Sequence, residues 1–186
     1  MGYALFAQRK VQLTGNLNTV SLMQTQRSNE QYALATQTLS LNQELSSLQV
    51  AQSQDLSGLY ELLANSTEDG LDQEYVDSLD EVAEGDTKTR RQYLSSSARK
   101  FLQEHNDAPT RQQIQDEIEA KELEFQREQD SINRKIYLVS VKENAIEMEV
   151  KRLDTQISAI QQQLKAVEEA EGSAIERATP KFNGVG

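Results

Sequence analysis

Residues 111–171 read RQQIQDEIEAKELEFQREQDSINRKIYLVSVKENAIEMEVKRLDTQISAIQQQLKAVEEAE, and one row of this stretch is apolar at every seventh position. A heptad repeat kept over eight positions, with no Gly or Pro inside it, is typical of one long helix whose seam packs against a partner helix. The companion row, four residues further on, is mixed because it includes Glu122, Gln129 and Glu143. We expect these polar residues either to fix the register of the seam or to reach water at its edge. The apolar row consists of Ile118, Phe125, Ile132, Val139, Ile146, Leu153, Ile160 and Val167.

The first segment, residues 3–65, repeats the heptad pattern and predicts a second long helix. It is rich in Gln, Asn, Ser and Thr and carries few charged side chains. Because solvent-exposed protein surface usually carries many charged residues, this composition favours a surface that is covered by another protein. A solvated helix of biased composition is the alternative.

The middle of the chain predicts two short helices after a break at residues 65–70. One apolar stripe is formed by Leu71, Tyr75, Leu79 and Val82, and a second by Leu94, Ala98, Phe101 and His105. Helices of this length reach about 20–30 Å, whereas a 60-residue helix is about 90 Å long. The short pair is therefore expected at the end where the first long helix finishes and the last one begins.

These elements predict an all-α fold, a long antiparallel helical hairpin forming a coiled-coil stalk, with the two short helices forming a small four-helix head at one end. The expected segments are the long N-terminal helix (1–65), the short helical hairpin (66–109), the long C-terminal helix (110–171) and a flexible tail (172–186). With residue x opposite about 172 − x, Arg27 lies near Glu143, and we expect this pair to lock the register. The predicted stalk seam consists of Leu13, Leu17, Val20, Leu34, Leu41, Leu45, Val139, Ile146, Val150, Leu153, Ile157 and Ile160.

The net charge of −11 is unevenly spread, with −1 in residues 1–64, −6 in residues 65–109 and −4 in residues 110–186. A chain with this much negative charge binds the phosphates of nucleic acids poorly, so no nucleic-acid partner is expected. No apolar run approaches the ~20 residues that span a bilayer, and the first residues lack the pattern of a secretory signal. We expect a cytoplasmic protein, with export by a route without a cleavable signal as the alternative.

The residues that usually carry catalysis are scarce, since the chain has one histidine and no cysteine. His105 has no Glu-x-x-His context for a metal and is expected to complete the end of a helix. The acidic run from Glu68 to Asp86 lacks the spacing of a calcium loop and is expected to be a solvated face. We therefore predict no catalytic residue, no metal ligand, no cofactor and no enzymatic activity.

The opening Met1-Gly-Tyr-Ala, followed by Gln8, Arg9 and a Leu-Thr pair, resembles the start of a loose group of small helical bacterial proteins. The likeness covers about 40 residues, and Gln8 and Arg9 are adjacent here, whereas the group separates them by one residue. No activity is known for that group, so the resemblance implies a helical fold alone.

Three hypotheses about function follow. The first is a structural or interaction protein that self-associates through its stalk, with itself or another helical protein as partner. The second is an exported filament or accessory subunit of a flagellar or type III-like system. This second hypothesis rests on paired long terminal helices and a start rich in uncharged polar residues. The third is an adaptor or chaperone that holds a basic client on the acidic head.

Overall fold

Long helices dominate the computed structural model, which describes residues 2–82 and 85–178. The described residues contain no strand, only isolated bridges between Ser66 and Leu71 and between Val82 and Thr89. The predicted all-α class is therefore confirmed. The helices are α1 (Gly2–Ala64), α2 (Gln73–Leu79), α3 (Arg90–Tyr93), α4 (Ser96–Glu104) and α5 (Arg111–Ala178).

The chain divides into two compact units, each containing part of α1 and part of α5. Unit 1 consists of Met1–Thr38 with Leu138–Gly186, and unit 2 consists of Leu39–Tyr137. The predicted segments instead followed the breaks between helices, so they do not coincide with these units. Within each unit α1 and α5 pack against each other, as the predicted helical hairpin requires.

In unit 1 the two helices run in opposite directions, because contacts later in α1 are made to residues earlier in α5. Lys10 forms a salt bridge with Glu168 at 2.8 Å, while Arg27 forms one with Glu149 at 3.1 Å. The apolar side chains Leu13, Ile146 and Leu153 are buried between the helices. Unit 1 is thus a two-helix pair whose single seam is its core.

Unit 2 has a wider core, to which α1, α2, α4 and α5 all contribute. The side chains of Leu59, Leu62, Leu79, Leu102 and Ile114 are fully buried there. A helix that contacts several neighbours buries a wide apolar face, which explains why Leu56, Leu59, Leu62 and Leu63 occur so close together near the end of α1. Leu94, Ala98, Phe101 and Ile118 complete this core.

The segment between α1 and α5 is more broken than the sequence predicted. The first short helix ends at Leu79, and the described residues beyond it include the Val82–Thr89 bridge and Gly85, which has a φ of +88°. The second predicted helix is split into α3 and α4, since Leu94 is extended with ψ 151°. Ser95 then caps α4 by accepting a hydrogen bond from the amide of Ala98.

The ends of α5 differ in how well the sequence predicted them. At its start, Gln113 Oε1 accepts from the amide of Thr110 at 2.8 Å and Thr110 Oγ1 accepts from the amide of Gln113 at 3.3 Å. These reciprocal bonds form a capping box, and the helix begins at Arg111, one residue from its predicted start. At its end, α5 continues through Gly172 to Ala178, so the expectation of a flexible tail from residue 172 is wrong for residues 172–178. The remainder of that tail, residues 179–186, lies outside the described residues.

Candidate interaction surfaces

The predicted seam residues are buried to different extents. Five of the twelve are buried, namely Leu13, Leu41, Val139, Ile146 and Leu153. The other seven, Leu17, Val20, Leu34, Leu45, Val150, Ile157 and Ile160, are only partly buried. A pair of helices has no third neighbour to cover such positions, so much of the seam remains in contact with water.

The register of unit 1 differs from the predicted one. Gln24 donates a hydrogen bond to Asp154 Oδ1, and together with the salt bridges of Lys10 and Arg27 this places residue x opposite about 178 − x rather than 172 − x. Arg27 therefore binds Glu149, at 3.1 Å, and Glu30, at 2.6 Å, instead of the predicted Glu143. These carboxylates, Glu30 first, raise the pKa of Arg27 above its ordinary value. The prediction of an Arg27–Glu143 pair is corrected accordingly.

One level of unit 1 carries no charged residue on either helix, and we call it the uncharged band. It consists of residues 14–23 of α1 and residues 155–164 of α5. Leu22 is 60% exposed and Met23 is 49% exposed, although both are large apolar side chains. An uncharged surface with exposed apolar residues is unusual for a helix in water and is typical of an interface.

A groove of about 400 Å³ runs along one side of the uncharged band, lined by Asn16, Thr19, Val20, Met23, Gln156, Ala159 and Ile160. Its lining includes none of the charged residues that bind across the two helices of unit 1, namely Lys10, Arg27, Glu149, Asp154 and Glu168. The comparable groove of unit 2 is larger, about 610 Å³, and its lining includes the charged residues Glu44, Glu128 and Lys135. The groove of unit 1 thus offers apolar, small and amide side chains only.

The low charge of residues 3–65 is visible in the sequence, but the heptad pattern does not single out the groove residues Thr19, Met23 and Ala159. The signal for them was present, since residues 11–26 contain no charged side chain at all. Only the register shows that the uncharged stretch of α5 lies beside this uncharged stretch of α1. The groove cannot be recognised from either helix alone, because both helices line it.

In unit 2 the irregular segment is held together by one arginine. Arg91 donates from Nε to Asp80 at 2.9 Å and from one terminal nitrogen to Asp107 at 2.5 Å. These two carboxylates, Asp107 first, raise the pKa of Arg91 above its ordinary range. Asp107 has a φ of +57°, a left-handed conformation that its short polar side chain tolerates. The arginine therefore joins three turns of the chain.

Helix α4 approaches α1 closely at a glycine. A Cβ atom added to Gly58 would lie 2.5 Å from Ser95 Oγ and 3.0 Å from the Cβ of Ala98. Ser95 Oγ also donates to the carbonyl of Asp55, and Ser97 Oγ donates to the Asp55 carboxylate at 2.9 Å. Small residues and short hydroxyls thus fix α4 on α1.

Acidic side chains cover much of the irregular segment, and only three of those in the described part of residues 65–109 form salt bridges, namely Asp80, Glu104 and Asp107. Asp72 instead caps α2, and Asp86 accepts a hydrogen bond from Tyr93 that lowers its pKa. Among residues 2–82 and 85–178, no group of three or more His, Asp or Glu side chains has the arrangement needed to hold a metal ion. This surface can attract a cationic group by charge alone.

His105 lies at the end of α4, where its ring packs against Phe101 with centroids 4.3 Å apart. Its Nδ1 is 2.9 Å from the carbonyl oxygen of Phe101. These contacts account for the position of the imidazole through local packing at a helix end.

Within the described parts of the chain, no helix combines the length and apolar character needed to cross a bilayer. Comparisons with protein-family models, curated proteins and solved structures found no match to this chain. The geometry of the helices and their surfaces is therefore the basis for a functional hypothesis.

Proposed function

We propose that this chain is a non-enzymatic structural or interaction protein that self-associates through the coiled-coil surface of its paired long helices. Self-association would cover apolar residues that a single helix pair leaves in water. The observation that carries the proposal is the uncharged band of unit 1, in which ten consecutive residues of each helix lack charge while Leu22 and Met23 are exposed. Burying the apolar side chains of such a surface against another helix lowers the free energy relative to leaving them in water.

The partial burial of the seam supports the same proposal. Four residues of the predicted seam are only partly buried, namely Leu17, Val20, Ile157 and Ile160. In a bundle of four helices each helix buries a wider stripe than in a pair, because residues beside the seam gain a neighbour. Adding helices from another chain would therefore bury these side chains without changing the contacts already present.

We further propose that the segment between α1 and α5 acts with the adjoining ends of those helices as a small four-helix head. The support is the shared core of unit 2, in which Leu79 and Leu102 are fully buried against Leu59, Leu62 and Ile114. In this proposal the head closes the hairpin and leaves the long helices free to assemble.

Light scattering coupled to size-exclusion chromatography tests the proposal. We expect the molar mass to rise with concentration from that of the 21.0 kDa chain to at least twice that value. A closed plateau supports a defined oligomer, whereas growth without a plateau would favour the exported filament subunit. A constant mass of one chain at millimolar concentration would refute self-association.

An adaptor for a basic client is the second candidate, favoured by the acidic surface of residues 65–109. Glu68, Asp69 and Glu74 form no salt bridge with any described residue, so their charge is available to a cation. Binding of a lysine-rich peptide by isothermal titration calorimetry tests this function. The heat of binding should vanish when these three residues are replaced by Gln or Asn, and it should fall steeply with added salt.

A further inference from the structure

We propose that the groove of the uncharged band, beside Thr19 and Ala159, binds α1 of a second copy of this chain to form a four-helix bundle. The inference rests on the proposed function and adds the site and the partner. Because each copy has the same groove and the same α1, a two-fold arrangement uses both grooves at once. The assembly therefore ends as a dimer, because no groove is left for a third chain.

Charge selects the second copy as the occupant of the groove. Residues 65–186 carry a net charge of −10, so most approaches of two copies bring like charges together. The sixteen residues 11–26 of α1 carry no charge, and neither do residues 155–164 of α5. Two copies that meet at this level therefore bring no like charges together within the contact itself, and no buried charge has to be paired.

The chemistry of the groove also fits this occupant. Val20, Met23 and Ile160 offer apolar contact, while Thr19 and Ala159 are small enough to let a helix approach closely. The outer side of α1 offers Val11, Leu22 and Tyr32, which are 73%, 60% and 77% exposed, separated by small or amide residues. An apolar and uncharged ridge thus meets an apolar and uncharged groove.

The length of the uncharged stretch sets the area of the contact. Residues 11–26 of α1 form about 24 Å of helix at 1.5 Å per residue. A strip about 10 Å wide along this stretch buries roughly 500 Å² when both partners are counted. Because the two-fold arrangement fills both grooves, the total is about 1,000 Å², the size expected of a small specific interface.

Charged substitutions test the groove directly, and the chain offers a matched control. Thr19 is an exposed threonine of α1 that lines the groove. On α5, Ala159 lines the groove and its exposed neighbour Ser158 does not. We expect Thr19→Glu and Ala159→Glu to weaken dimerisation at least tenfold, and Ser158→Glu to change it less than twofold. Sedimentation velocity gives the dimer fraction, and circular dichroism verifies that all three variants keep their helicity.

Thiol accessibility gives a second readout, because the natural chain has no cysteine. In Thr19→Cys the reaction with a maleimide should slow as protein concentration rises, whereas in Ser158→Cys, outside the groove, its rate should stay constant. If both glutamate variants in the groove dimerise like the natural chain, or if both cysteines react alike at all concentrations, the groove is not the interface although self-association stands. If the natural chain remains monomeric, the groove proposal and the proposed function fall together.

Discussion

Gly58 and Gly15 both lie inside α1, but only Gly58 is required by a neighbouring helix. A Cβ at position 58 would lie 2.5 Å from Ser95 Oγ, whose hydroxyl also caps α4, and 3.0 Å from Ala98 Cβ. A Cβ at position 15 would have no atom within 4 Å. The same glycine-to-alanine change should therefore have opposite effects at the two positions.

We predict that Gly15→Ala raises the free energy of unfolding by about 0.5–1 kcal/mol, since alanine is the better helix former. Gly58→Ala gains the same propensity but overpacks the α1–α4 contact, and we expect a net loss of about 1–2 kcal/mol. Urea denaturation followed by circular dichroism measures both. A stabilised Gly58→Ala variant would show that α4 moves away from α1 at little cost.

Tyr75 links the stability of unit 2 to alkaline pH. Burial is the main cause that raises the pKa of Tyr75, and the carboxylate of Glu61, which accepts its hydrogen bond at 3.1 Å, adds to the shift. A raised pKa means that the folded chain keeps a proton that the unfolded chain has lost, so this contribution to stability is complete below pH ~10 and declines as the pH rises further.

We predict that Tyr75→Phe makes the loss of stability above pH 10 shallower, because phenylalanine has no proton to release. At pH 7 the variant should be less stable by about 1 kcal/mol, the usual net value of one lost hydrogen bond. Urea denaturation at pH 7 and at several values above 10 measures both effects. An alkaline slope equal to that of the natural chain would assign the pH dependence to other groups.

At the scale of helices, periodicity predicted the two long elements but could not select their register. Sliding one helix by a heptad brings every seam residue to an equivalent position, and the observed register differs from the predicted one by about that amount. Specific pairs such as Arg27–Glu149 distinguish the registers, and these depend on side-chain positions that a pattern does not contain.

A charge swap tests the register of unit 1. We predict that Arg27→Glu lowers the melting temperature, because the new carboxylate at position 27 would face those of Glu30 and Glu149. Adding Glu149→Arg should recover most of that loss, whereas adding Glu143→Arg should recover little. Thermal denaturation of the three variants and the natural chain measures this. If Glu143→Arg recovers the melting temperature of the Arg27→Glu variant and Glu149→Arg does not, the register expected from the heptad pattern is the correct one.

The short helices show a different reason for incomplete prediction. The apolar spacing of Leu94, Ala98 and Phe101 predicts one helix, but in the structure Ser95 caps the amide of Ala98 and separates α3 from α4. A serine inside an apolar pattern is compatible with a helix interior or with a cap, and tertiary contacts decide between them. Here the hydrogen bond from Ser95 Oγ to the Asp55 carbonyl of α1, together with Gly58, favours the cap.

At the scale of the whole molecule, charge distribution determines how the chain can meet a partner. Residues 1–64 carry a net charge of −1 and residues 65–186 carry −10, so two copies repel each other at long range wherever they make contact. Salt screens such repulsion, with a Debye length of about 8 Å at 0.15 M. A contact made by uncharged groups loses nothing to that screening.

We therefore predict that the dimer dissociation constant falls severalfold when NaCl is raised from low millimolar to about 0.15 M, because repulsion is screened while the uncharged contact is kept. The complex of the acidic surface with a lysine-rich peptide should weaken over the same range, since there salt screens an attraction. Sedimentation velocity and calorimetry on the same preparation compare the two directly. A dimer that dissociates as salt is added would be held by opposite charges, and its interface would have to include the charged edges of the helices instead of the uncharged band.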